Sequence, residues 1–204
     1  VIKKYLYQQC VNEPDAIFEH VYKVEPGQIV RFCSGKTDMW KYWDIAEVYR
    51  RKKQENPGTY EEAKARLKDI LRDAVRKRMI ADVPVGAFLS GGYDSSLVTA
   101  IAQEVSSEPV KTYSIGFHEE RYNEAKYARE VARHLGTQHT ELYVDEKSMF
   151  DMVASIPKYY DEPFADSSQI PSMLVAGLAA KEVTVVLSGD GGDEFFCGYN
   201  IYDN

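Results

Sequence analysis

Residues 85–96, Val-Gly-Ala-Phe-Leu-Ser-Gly-Gly-Tyr-Asp-Ser-Ser, constrain the fold more than any other stretch. Val85 to Leu89 are apolar apart from one glycine, which suits a short strand covered on both faces. Ser90, Gly91 and Gly92 then form a tight loop whose missing Cβ atoms let a ligand approach the backbone. Ser95 and Ser96 open an apolar helix that starts Leu97-Val98-Thr99-Ala100. Free N–H groups at a helix start, with hydroxyls beside them, make a phosphate site. Asp94 does not belong to a pure anion site. A carboxylate beside phosphates implies a cation between them, and Mg²⁺ fits best.

The remaining chain alternates strand and helix. Thr59-x-x-Glu62 is a capping box, and apolar residues at helical spacing predict a helix from Tyr60 to Met79. Its basic end, Arg72, Arg76, Lys77 and Arg78, either complements the helix dipole or reaches a phosphate. A second strand is predicted over Val110–Phe117 and a helix over Glu124–Leu135, with Gly136 as its C-cap. A third strand follows over His139–Val144, then a helix over Glu146–Ile156, a loop over 159–168 and a helix over Pro171–Lys181. The fourth strand, Val183–Leu187, runs into Ser188-Gly189-Asp190-Gly191-Gly192-Asp193-Glu194. This order predicts an α/β fold with a doubly wound parallel sheet. Residues 1–44, with turn signals at Pro26-Gly27 and Ser34-Gly35, predict a small β-rich remnant in which Trp40 and Trp43 pack. Residues 45–58 are charged, end in Asn56-Pro57-Gly58 and read as a linker.

Ligands of doubly wound sheets sit beyond the carboxyl ends of the strands, where the winding reverses. With the first and fourth strands side by side there, Ser90–Ser96 and Ser188–Glu194 come together. The first loop lacks the lysine of the common nucleotide P-loop; Tyr93 and Asp94 stand in that region. Without a lysine on the terminal phosphates, cleavage between the α and β phosphates is favoured, the loop holding pyrophosphate. Asp94 and Asp193 would share the metal. Asp190 would face the acyl or amine substrate, and Glu194 would orient its loop. Asp161, Glu162, Asp166 and Ser168 either build a turn and a helix cap or form a substrate rim that binds an amino group.

Composition excludes several classes. A net charge of −7 over 204 residues argues against nucleic acid as a partner. No apolar run is long enough for a bilayer, so no membrane partner is expected. Three cysteines without a C-x-x-C pair suggest a reducing, cytoplasmic compartment. The four histidines have no metal-ligand spacing and read as structural. Val1 and Asn204 both look like cut ends, as in a fragment of a longer enzyme.

Ser90-Gly91-Gly92-Tyr93-Asp94-Ser95-Ser96 resembles the pyrophosphate loop of the N-type ATP pyrophosphatases. Asp161-Glu162-Pro163-Phe164-Ala165-Asp166-Ser167-Ser168 and Leu187 to Glu194, with Ser114-Ile115-Gly116-Phe117, narrow the resemblance to the glutamine-dependent asparagine synthetases. The resemblance implies that residues 1–44 end a glutaminase domain and that 59–204 form a synthetase domain truncated at its C-terminus. It implies ATP and Mg²⁺ as cofactors, and aspartate or another carboxylate with glutamine-derived ammonia as substrates. β-Aspartyl-AMP would be the intermediate. The glutaminase domain would act in cis, and a homodimer is compatible with the resemblance. By position, Ser90, Gly91, Gly92, Asp94, Ser95 and Ser96 would hold pyrophosphate. Phe88, Leu89, Ile115, Ser188 and Gly189 would line the AMP site, and Asp94 and Asp193 would bind Mg²⁺. Asp94, Asp190 and Asp193 are thus the catalytic candidates, and Asp161, Glu162, Asp166, Ser168 and Asp190 the substrate-binding ones. The family's glutaminase nucleophile is an N-terminal cysteine, where this sequence has Val1. Cys197 and Phe88 stand where the family usually has Gly and often Leu, which leaves the substrate open. Some relatives amidate sugar acids, and others close β-lactam rings.

Overall fold

The computed structural model describes all residues except Asn56, Pro57, Glu120, Tyr122 and Asn204, and the side chains of 201 and 203. The Asn56-Pro57 turn expected to close the linker therefore lies outside the described residues. The chain divides into two compact units. One comprises Val1–Ala63 with Ala154–Ser167; the other comprises Lys64–Val153 with Ser168–Asn204.

The first unit contains the predicted small β element. β1 (Gln28–Cys33) and β2 (Lys36–Lys41) pair antiparallel through a two-residue turn. Ser34 and Gly35 both take positive φ, 49° and 74°, as a primed hairpin turn requires. Trp40 and Trp43, expected to pack, are each 43% exposed, and Arg31 stacks over Trp40. Helix α1 (Ile2–Gln8) was not foreshadowed: it is two turns long and buries no residue, so no apolar stripe marks it. Within the stretch expected to link, α2 (Ile45–Lys52) forms with Asp44 as its N-cap, accepting from Glu47 N.

α3 (Tyr60–Arg78) begins at the predicted capping box. Glu62 N donates to Thr59 Oγ1 and Thr59 N to Glu62 Oε2, at 3.3 and 2.8 Å. The second unit is then built on β3 (Val85–Phe88), α4 (Tyr93–Val105), β4 (Lys111–Phe117), α5 (Ala125–Leu135), β5 (Gln138–Val144) and α6 (Glu146–Val153). α7 (Ile156–Tyr159) belongs to the first unit. α8 (Gln169–Ala179), β6 (Val185–Leu187) and α9 (Gly192–Phe196) complete the second. The single helix expected over 146–156 is thus two. Pro157 has no N–H for a continuing helix but is tolerated in a first turn, so a new helix opens at Ile156.

The four strands form one parallel sheet in the order β5-β4-β3-β6. Chain order runs outward from β3 to β5 and then returns to β6 on the other side. The winding therefore reverses between β3 and β6, where the sequence had put it. Val85, Gly86 and Ala87 face Val185, Val186 and Leu187 across that junction. Alternation along each strand covers both faces. Ala87 and Leu187 pack with Val75, Ile101 and Ala102 of α3 and α4. Phe88 and Val186 point the other way, to Tyr113, Ala179 and Val183 beside α8. Burial on both faces explains why β3 reads as an apolar run.

Candidate active site

The carboxyl ends of β3, β4 and β6 open into a cavity of about 870 Å³ within the second unit. The loop after β3 forms its floor. Ser90 Oγ and Ser95 Oγ lie 2.9 Å apart, Ser90 N donates to Ser95 Oγ, and Gly92 N donates to Ser90 Oγ. These bonds fold the loop on itself. Gly91 has φ +87°, and a Cβ there would lie 2.6 Å from Ala128 N in the first turn of α5. No side chain fits at that position, which is why glycine is required. The same approach ties the loop to α5.

The loop after β6 stands opposite. Ser188 Oγ donates to Asp190 Oδ2 at 3.0 Å, fixing one carboxylate oxygen. Gly192 begins α9 against the Asp94 carboxylate: a Cβ on Gly192 would sit 2.2 Å from Asp94 Oδ2. A Cβ on Gly189 would lie 2.8 Å from Ser95 N, so the two loops touch at two glycines. Asp193 turns toward Gly198, where a Cβ would meet its Oδ1 at 1.9 Å. Glu194 is held by Tyr199, whose hydroxyl donates to Oε1 at 2.8 Å. That bond holds the Glu194 carboxyl below its usual range and pushes the Tyr199 hydroxyl up to about 12. Glu194 thus serves its own loop, as the sequence suggested.

The predicted residues divide cleanly. Phe88, Leu89, Ser90, Gly92, Asp94 and Ser95 line the cavity from the β3 side, and Ile115 from β4. Ser188, Gly189, Asp190 and Asp193 line it from β6, and Ser168 from the start of α8. Gly91 shapes the floor from beneath, and the Ser96 hydroxyl is buried without a hydrogen-bond partner among the described residues. Asp161, Glu162 and Asp166 belong to the first unit. There Glu162 accepts from Ile17 N at 2.9 Å and from Lys23 Nζ at 2.6 Å, and Lys23 also donates to Val11 O. The Lys23 ammonium, then the Ile17 amide, hold the Glu162 carboxyl below its usual range. The basic end of α3 also settles on local partners: Arg72 on Glu104, and Arg76 and Lys77 on Asp73. Sequence reasoning missed Glu124, Ser172 and Phe117, which also line the cavity. Phe117 ends β4 and stood in the Ser114–Phe117 motif without a role of its own; Glu124 precedes α5 and Ser172 lies in the first turn of α8, where no motif marked them.

The structure bears on a metal through its carboxylates. Asp94 and Asp193 come from facing loops, and neither carboxylate has a hydrogen-bond or ion-pair partner among the described residues. Among those residues no group of three or more acids, histidines or cysteines could hold a metal unaided. Mg²⁺ is commonly bound by one or two carboxylates with phosphate oxygens and water completing its shell. The glycine cradle around Asp94 and the unpartnered pair fit that pattern.

The asparagine synthase family matches residues 66–204. A Methanocaldococcus jannaschii protein, provisionally named glutamine-hydrolysing asparagine synthetase 2, is 38% identical over all of this chain and 39% of its own length. Glutamine-hydrolysing asparagine synthetase 1 of Bacillus subtilis is 37% identical over 98% of this chain and 31% of its own. The chain belongs to the asparagine synthase family. It spans between about a third and two fifths of the length of these relatives. Among solved structures, a glutamine-dependent NAD⁺ synthetase of Acinetobacter baumannii in complex with ADP aligns with a TM-score of 0.48 and 26% identity. That alignment covers 66% of this chain and 27% of that one.

Proposed function

We propose that this chain is the nucleotide-binding core of an ATP-dependent amide-forming ligase. The observation that carries the reading is the meeting of two glycine-acid loops at the switch point between β3 and β6. One loop offers a helix start with two serines; the other brings Asp190 and Asp193 to the same cavity. Ser90, Gly92 and Ser95 hold the departing pyrophosphate on a loop that Gly91 shapes, while Phe88, Leu89, Ile115, Ser188 and Gly189 surround the nucleoside monophosphate. Asp94 and Asp193 hold Mg²⁺, which when bound neutralises phosphate charge and orients the α-phosphorus for in-line attack.

A substrate carboxylate oxygen attacks the α-phosphorus, and the bond to the bridging oxygen breaks to release pyrophosphate. Ammonia then attacks the acyl carbon, loses a proton, and displaces AMP. Asp190, held by Ser188, faces this acyl centre and orients the substrate. Aspartate is the first carboxylate substrate to test, giving asparagine through β-aspartyl-AMP. The names of the relatives support it, as they support a glutaminase domain in cis that supplies ammonia. Phe88 on the cavity wall keeps other acids, including sugar acids, as the second reading.

ATP/[³²P]pyrophosphate exchange on the full-length protein tests the proposal, with aspartate and a panel of other carboxylic acids. Exchange that depends on one acid supports adenylation and names the acceptor. No exchange with any acid, together with no Mg-ATP binding, overturns it.

A further inference from the structure

The cavity changes character away from the two acidic loops. From β4 the apolar side chains of Ile115 and Phe117 line it, along with Ser114, and Glu124 lines it as well. Glu124 is exposed, precedes α5, and lines the same cavity. A residue in that position ordinarily turns its side chain back to cap the helix. Here Asn123 does so instead: its Oδ1 accepts from Ala125 N at 3.2 Å. The Glu124 backbone is held meanwhile, its carbonyl accepting from Tyr127 N at 2.9 Å and Ala128 N at 3.2 Å. Among the described residues nothing donates to the Glu124 carboxylate. The first turn of α5 is also the turn pressed against Gly91. Glu124 is therefore fixed relative to the phosphate loop while its carboxylate stays open to the cavity.

A carboxylate cannot sit beside a triphosphate without a cation, so Glu124 suits the uncharged end of a nucleotide. β4 is the strand next to the phosphate-binding strand. In doubly wound dinucleotide-binding sheets, an acidic side chain beyond the neighbouring strand accepts hydrogen bonds from ribose hydroxyls. The apolar pair Ile115 and Phe117 beside Glu124 offers a surface for the base. We propose that Glu124 selects ribonucleotides by accepting from the 2′- or 3′-hydroxyl of ATP. This rests on the Mg-ATP reading of the same cavity, and makes Glu124 a specificity-determining residue outside the glycine-acid motifs.

The test is calorimetric titration of the full-length protein with Mg-ATP, Mg-2′-deoxy-ATP and Mg-3′-deoxy-ATP. A hydrogen bond to a charged acceptor predicts that one deoxy analogue binds the wild type about 10- to 100-fold more weakly than ATP. In Glu124→Ala, ATP should weaken to the level of that analogue, and the discrimination should vanish. Glu124→Gln, matched by thermal melting, serves if the alanine variant loosens the start of α5; it should lose most of the discrimination. Equal wild-type affinity for all three nucleotides overturns the role of Glu124 and leaves the ligase reading standing. Undiminished discrimination in both variants does the same. No binding of any Mg-nucleotide overturns the ligase reading and this one with it.

Discussion

Two loops of this chain carry carboxylates, serines and a tight turn, yet their chemistry differs. In the loop after β3, the serines bond to one another, and Asp94 stands free against the facing loop. In the loop over 160–168, Glu162 has both oxygens engaged, one by the Ile17 amide and one by Lys23. Ala165 N also donates to Gln9 O, so this loop is stitched to the N-terminal segment at two points. The first loop is shaped by its own atoms and leaves a carboxylate open. The second is shaped by a carboxylate already satisfied. Residue type alone does not separate them; the availability of the charge does.

The largest effect should come from closing the open carboxylate. Asp94→Asn is expected to lower pyrophosphate exchange about 100- to 1000-fold, the scale of several kcal/mol of lost phosphate neutralisation. Gly192→Ala should do much the same, because its Cβ would overlap Asp94 Oδ2. Exchange at the wild-type rate in both variants would mean that the open carboxylate is not part of the chemistry, and the contrast between the loops would collapse.

Next in size is a pair of glycines. Gly91 and Gly136 both have positive φ, 87° and 72°. Space around them differs: a Cβ on Gly136 meets nothing within 4 Å, whereas one on Gly91 meets backbone at 2.6 Å. Gly136→Ala should cost about 1 kcal/mol, the backbone penalty alone. Gly91→Ala should cost distinctly more in a urea titration, since α5 must move as well. Equal losses would show that the loop after β3 is not seated on α5.

The sheet and the serine-glycine turn after β3 were legible in the sequence because their signals are local. Apolar runs, the Thr59–Glu62 box and Gly136 each act over a few residues, and the strand order follows from the alternation of elements. The pairing of β3 with β6 was legible through the general rule for winding reversal. Glu162 was not, because its partners Ile17 and Lys23 are 145 and 139 residues away. No pattern within a loop reveals that a distant lysine has claimed one of its acids. Glu124 escaped for the converse reason: its availability depends on Asn123 taking over the helix cap, which composition cannot show.

That difference yields a smaller, more discriminating test. Glu162→Ala should lower the melting temperature of the chain by about 2–4 °C, as loss of one partly shielded ion pair would. Lys23→Ala should act alike, and the double variant should lose little more than either alone. The KM for the carboxylate substrate should stay put. A raised KM with an unchanged melt would mean that the loop serves the substrate, and the two loops would be alike after all.

The smallest expected effect tests the same principle inside the second unit. His139 lies on β5, with Nδ1 2.9 Å from Thr112 Oγ1 and Nε2 3.2 Å from Ser114 Oγ. Glu141 and Arg129 are its charged neighbours, and they bond to each other. Burial is the largest influence and pulls the imidazole below its ordinary 6.5, although Glu141 opposes that shift. Between the lowered value and 6.5 the unfolded chain therefore binds more protons than the folded one. Stability should be fully present above pH 6.5 and should decline as pH falls below it. Glu141 is held below its ordinary 4.5, chiefly by Arg129, so its own contribution fades only at lower pH. Urea midpoints at pH 7.5 and 5.5 thus isolate the histidine. The wild type should lose more stability over that interval than His139→Gln, which has no proton to gain. A wild-type midpoint that rises on acidification would mean that the Glu141 carboxylate dominates the ring. His139 would then be a charged partner, and its satisfied hydroxyl neighbours would not be what holds it in place.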